Sequence, residues 1–109
     1  MAFKKIKFYV QCRSEVDGSS VLEEKSGYSD GEFYYYKELK KSGALLGWHL
    51  IDPQTGLSVS PTMYKTRKDA AAAVQNEELM EKFERIKDSY KYKLMMRDYS
   101  EKMMEMEEN

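Results

Sequence analysis

Residues 48–73 read WHLIDPQTGLSVSPTMYKTRKDAAAA, and this stretch divides the chain. Asp52, Pro53 and Gly56 have the chemistry of a tight reversal. The aspartate can hydrogen-bond to backbone just ahead of it, the proline presets φ near about −65°, and the glycine accepts the positive φ that closes a loop. The reversal predicts an antiparallel hairpin between residues 44–51 and 57–60, with Trp48 and Leu50 on one face and Leu45, His49 and Ile51 on the other. Fourteen residues beyond Asp52, Thr66 precedes Arg67, Lys68 and Asp69, the pattern of a capping box in which the threonine oxygen accepts from the amide three residues on. Four alanines follow. The period changes here from two to 3.6, so sheet is expected before residue 67 and helix after it.

Upstream, residues 5–13 alternate strictly, with Ile6, Phe8, Val10 and Cys12 facing one way and Lys5, Lys7, Tyr9, Gln11 and Arg13 the other, as in a half-buried strand. Residues 14–31 are polar, acidic and punctuated by Asp17-Gly18 and Asp30-Gly31, which predicts a long loop with room for one short edge strand at Val21 and Leu22. The aromatic run Phe33-Tyr34-Tyr35-Tyr36 favours another strand, turning at residues 41–43 into the strand that carries Trp48.

Downstream, Leu79, Phe83, Ile86, Tyr90 and Leu94 form a stripe at helical spacing, expected as core against Ile6, Phe8 and Val10. Arg97 and Glu101 end that stripe, while a second has begun at Tyr92, Met96, Tyr99, Met103 and Met106. At 100° per residue the two point roughly 180° apart. Either the helix breaks near residues 94–100 and folds back, or it runs straight from 67 to 108 and offers its second stripe to another molecule. No Gly or Pro follows Met80, which favours the straight helix of about 63 Å, its end protruding. On that reading Tyr92, Met96, Tyr99, Met103 and Met106 are a partner or homodimer interface, since methionine adapts to irregular surfaces and tyrosine adds contact area.

With 109 residues, 34% of them charged and a formal net charge of −1, the chain has the makings of one α+β domain (1–66 sheet region, 67–108 helix). The expected architecture is a small antiparallel sheet of three or four strands with one long C-terminal helix packed on one face. A single cysteine excludes an internal disulfide. Lysines interrupt the amino terminus and no apolar run approaches about 20 residues, so a soluble cytoplasmic protein with no membrane partner is expected. Glu23, Glu24, Asp30 and Glu32 lack the spacing of a calcium loop, and His49 has no cysteine or second histidine beside it. No nucleophile, acid–base pair, phosphate loop or metal set can be assembled, so neither enzymatic activity nor a cofactor is expected.

Residues 33–74, with Thr55-Gly56 in the turn and Thr66-Arg67-Lys68-Asp69-Ala70 opening the helix, resemble the arm-type DNA-binding domains of tyrosine recombinases from phages and mobile elements. That resemblance implies a three-stranded sheet entering the major groove, braced by the helix. Here the hairpin carries His49, Ser58 and Ser60 where such domains are basic, and only Lys5, Lys7, Tyr9 and Arg13 on the first strand offer a phosphate-contacting row. The leading expectation is therefore a protein-interaction module, of the kind a phage or mobile element uses to inhibit or modulate a host protein such as a nucleic-acid-processing, anti-CRISPR-like target. A sheet-based DNA-binding factor is the alternative.

Overall fold

The structure is a computed structural model that describes residues 3–13 and 16–108, with backbone alone at Arg13 and Glu108. Strand β1 (Lys4–Arg13) pairs with β2 (Ser20–Ser29) along ten residues, from Lys4 opposite Ser29 to Arg13 opposite Ser20. The acidic stretch expected as loop is therefore largely a full strand. Its side chains gave no sign of this because β1 supplies the apolar face; β2 contributes backbone pairing and keeps Glu23 and Glu24 exposed. The hairpin turn is held by Asp17, whose carboxylate accepts from the Ser19 amide at 2.9 Å, next to Gly18 at φ 73°.

The sheet continues with β3 (Tyr34–Leu39) and β4 (Leu45–Ile51) in the antiparallel order β1-β2-β3-β4. Strands β2 and β3 share only two residue pairs, Tyr28 with Tyr35 and Ser29 with Tyr34. They then diverge at Gly27, where a Cβ would lie 2.1 Å from the Tyr35 carbonyl oxygen; only glycine permits that approach. Freed there, the β1–β2 hairpin curls over the inner face of β3 and β4. Phe8 stacks on Tyr34 at 4.6 Å between ring centroids and joins Val10, Tyr36 and Ile51 in one buried cluster. The free edge of β1 reaches as far as the reversal after β4, where the Gln11 amide donates to the Gly56 carbonyl at 2.9 Å.

That reversal forms as its sequence suggests, with the Gly56 amide donating to the Asp52 carbonyl at 2.8 Å and Gly56 at φ 68°. Its return arm is not a continuous strand. It touches β4 at two isolated bridges, Ile51 with Ser58 and Trp48 with Tyr64, and leaves between them around Pro61, which has no amide to donate.

The chain is α+β as expected, with a long C-terminal helix, but its helical half is divided into three pieces rather than one rod. Helix α1 (Arg67–Ala73) is capped by Thr66, which accepts from the Asp69 amide at 3.0 Å. Helix α2 (Glu77–Lys87) starts at Asn76, whose side chain accepts from the Leu79 amide at 2.9 Å. Helix α3 (Tyr90–Glu108) starts at Ser89, whose hydroxyl accepts from the Tyr92 amide at 3.1 Å and donates to the Ile86 carbonyl at 2.6 Å. One serine thus satisfies the end of one helix and the start of the next.

A second core lies on the opposite face of the sheet. Phe33, Tyr35, Leu50, Ala70, Phe83 and Tyr92 are buried together, with Ala70 close enough to the strands to be fully covered. Phe83 therefore packs on Phe33 (5.9 Å) and Tyr92 (6.4 Å), not on Ile6, Phe8 and Val10 as the stripe implied. With a radius of gyration of 14.3 Å the helices stay against the sheet, and among the described residues no helix is long and apolar enough to cross a membrane.

Candidate functional site

The stripe expected as a partner interface is divided by the fold. Tyr92 and Tyr99 are 4% and 7% exposed, Met96 and Met103 are half-buried, and only Met106 is exposed. Tyr92 donates to the buried Asp52 carboxylate at 2.5 Å and so ties α3 to the reversal after β4. The Gln54 side-chain oxygen lies 3.1 Å from the same hydroxyl, whose single proton goes to Asp52. Seven residues on, Tyr99 donates to the Tyr9 carbonyl at 2.6 Å and covers Gly56. Burial holds both phenols above their ordinary range, with the Asp52 hydrogen bond adding to the effect at Tyr92. Tyr92 and Tyr99 are thus internal glue along the seam between β1 and the reversal. For these two the expectation of a surface presented to another molecule is corrected, because the break at Ser89 turns them inward, while Met106 stays exposed.

The stripe expected as core comes out the other way. Leu79 is half-buried and Phe83 buried, but Ile86, Tyr90 and Leu94 are exposed, Tyr90 by 76%.

Of the phosphate-contacting row, Lys5 and Lys7 stand exposed on β1, while Tyr9 donates to Glu24 at 3.1 Å and the Arg13 side chain lies outside the described residues. Lys5 and Lys7 border a shallow depression of about 470 Å³ that includes Tyr28. Beside it the Arg67 guanidinium sits 4.2 Å from the centroid of the Tyr28 ring and 4.5 Å from that of Phe3. Helix α1 thereby adds a third cation to the β1 surface, one the sequence did not place near it.

Within the concave side of the sheet, His49 lies flat on Tyr36 at 4.7 Å, with Nε2 3.6 Å from the Glu38 carboxylate, beyond hydrogen-bonding distance. Burial and the neighbouring Glu23 carboxylate push the Cys12 thiol up, the opposite of what a nucleophile needs. Burial likewise raises the Tyr36 phenol to about 12. Among the described residues, no group of three or more His, Cys, Asp or Glu is placed to hold a metal ion.

Two features escaped the sequence reading. One is the far end of the β3–β4 hairpin, where every residue from 39 to 46 is exposed although the strands are paired there. It shows Leu39 (51%), Leu45 (45%) and Leu46 (44%) to solvent, with Lys37, Lys40 and Lys41 among them. Among the described residues none of these lysines makes an ion pair. The adjacent leucines at a strand end next to Lys40-Lys41 were the available signal. The other is a groove of about 660 Å³ between α2, the β2–β3 turn and the reversal, floored by Phe33, Met80 and Phe83 and edged by Glu32, Glu84 and Lys87. It brings together residues far apart in sequence, so no local pattern announces it.

Compared with protein-family models, curated proteins and solved structures, the chain matches none of them.

Proposed function

We propose that the protein is a non-enzymatic interaction module that docks on an apolar, acidic protein surface through the far end of the β3–β4 hairpin. One observation carries the reading: three leucines and three unpaired lysines are held in solvent by a paired, ordered hairpin. Each leucine still exposes about half of its surface, so covering the remainder would contribute on the order of 1 kcal/mol each that the monomer alone does not gain. The lysines select an acidic partner and speed encounter. A phage or mobile-element factor that modulates a host protein, anti-CRISPR-like inhibitors included, belongs to this class. The test places a photo-cross-linking side chain at Leu45 in cells that carry the gene. A discrete protein adduct that disappears when Lys40 and Lys41 become glutamate is the expected result; an adduct pattern indifferent to those charges would remove the reading.

A second reading is favoured by the Arg67 guanidinium stacked on Tyr28 beside Lys5 and Lys7, a basic and aromatic surface suited to nucleic acid. It keeps the DNA-binding alternative, with α1 rather than the hairpin strands supplying the extra charge. Filter binding to duplex and single-stranded DNA at two salt concentrations decides it. Steeply salt-dependent binding that weakens in a Lys5→Gln, Lys7→Gln, Arg67→Gln variant would favour this reading over the first.

A further inference from the structure

Resting on the hairpin reading, we infer that the partner surface is supplied by a second copy of this chain: the bare end of β3–β4 in one molecule enters the groove beside α2 in the next. The two surfaces complement each other in both chemistry and charge. The hairpin end presents leucines framed by Lys37, Lys40 and Lys41, all exposed. The groove, of about 660 Å³, offers an aromatic floor with Phe33 and Phe83 5.9 Å apart. Glu32 and Glu84 stand on its rim, with the buried Asp52 carboxylate among its lining. The hydrogen bonds described at that carboxylate come from neutral donors: the Gln54 amide, the Thr55 hydroxyl and the Tyr92 hydroxyl. With Lys87 the one cation against Glu32, Asp52 and Glu84 in that lining, the groove stays net negative and attracts a cation brought in from outside.

The groove already displays this chemistry on a residue of its own. The Lys87 ammonium lies 5.1 Å from the centroid of the Phe83 ring and 3.2 Å from Glu84 Oε1, so ring face and carboxylate together hold one lysine. A lysine from the hairpin of a neighbour would find Glu32 on the same rim for the equivalent pairing, while the leucines cover Phe33 and Met80. Because the donor and acceptor surfaces are different patches, the contact either repeats head-to-tail into chains or rings or is exchanged reciprocally in a two-fold dimer.

The experiment is sedimentation of the full chain over a range of concentration and at two salt concentrations. The weight-average mass of the parent should rise above the monomer value of 12.8 kDa with concentration and fall back with salt. Lys40→Glu with Lys41→Glu removes the donor, and Glu32→Gln with Glu84→Gln removes the acceptor; each should sediment as monomer. Mixed in equal amounts they should form a species of twice the monomer mass and nothing larger, since one intact hairpin meets one intact groove and both free ends are dead. All four positions are exposed, so the melts of the variants should match the parent; should the double groove variant melt early, Glu84→Gln alone replaces it. A parent that stays monomeric at every concentration overturns the inference, as does association that survives either variant. Association abolished instead by Glu105→Lys with Glu107→Lys would move the acceptor to the end of α3 and likewise overturn it. If the parent is monomeric while a Leu45 cross-link to a different protein persists, self-docking fails and the interaction-module reading stands; if both are absent, both fail.

Discussion

Two rows of large apolar side chains run along the last thirty residues, and the fold treats them in opposite ways. Tyr92 and Tyr99 point into the body and bond to the Asp52 carboxylate and the Tyr9 carbonyl, whereas Ile86, Tyr90 and Leu94 stand in solvent. Composition does not separate them, since each row contains tyrosine and long aliphatic side chains at spacings of three and four. What separates them is the short break at Asp88 and Ser89. On a continuous helix Phe83 and Tyr92, nine residues apart, would face roughly opposite directions, yet here their rings meet edge to face at 6.4 Å. Ending α2 and restarting α3 lets Phe83 and Tyr92 both turn inward, and the remainder of the first row is left outside. An apolar stripe therefore marks a helix face; which stripe becomes core depends on where the axis changes direction.

The largest test of this contrast is alkaline. Burial raises the phenols of Tyr35, Tyr36, Tyr92 and Tyr99, Tyr36 to about 12, above the value near 10 of the unfolded chain. The stability they contribute is fully present below about pH 10 and is lost as pH rises through their folded values. Circular dichroism and phenolate absorbance should change together in one cooperative transition between about pH 10 and 12; separate transitions would mean that the inner row is already accessible in the folded state. Next in size, Tyr92→Ala should cost about 3–5 kcal/mol in urea denaturation, because it removes a buried ring and a donor to a buried carboxylate. A loss below about 1 kcal/mol would put Tyr92 back on the surface. Ser89→Ala should cost about 1 kcal/mol, the usual loss of a capping hydroxyl. Should its melt be indistinguishable from the parent, the break would not depend on the cap. Smallest of all, Tyr90→Ala should change stability by less than about 0.5 kcal/mol, as expected of a side chain this exposed. A larger effect than that of Tyr92→Ala would reverse the assignment of the two rows.

Much of the architecture was legible because its signals are local. The alternation in β1, the reversal at Asp52, Pro53 and Gly56, and the Thr66 cap each depend on residues within a few positions of one another, and each forms. The helix breaks were legible in principle as well. Asn76 and Ser89 are ordinary capping residues, but the absence of glycine and proline gave them too little weight. The strand β2 was not legible, because its place is set by pairing with β1 rather than by any apolar face of its own.

The sequence by itself determined an α+β chain, a first strand with one apolar face, a reversal before a capped helix, and a helical region carrying two apolar rows. Only the tertiary structure decided that β1 and β2 curl over the inner face of β3 and β4 at Gly27. It also decided that Tyr92 and Tyr99 close the seam, that Arg67 joins Lys5 and Lys7, and that the end of β3–β4 is left bare. The reason is range. Turn, cap and period are energies of neighbours along the chain, whereas burial is shared among surfaces that meet only after the chain has folded, and a single change of helix direction redistributes it.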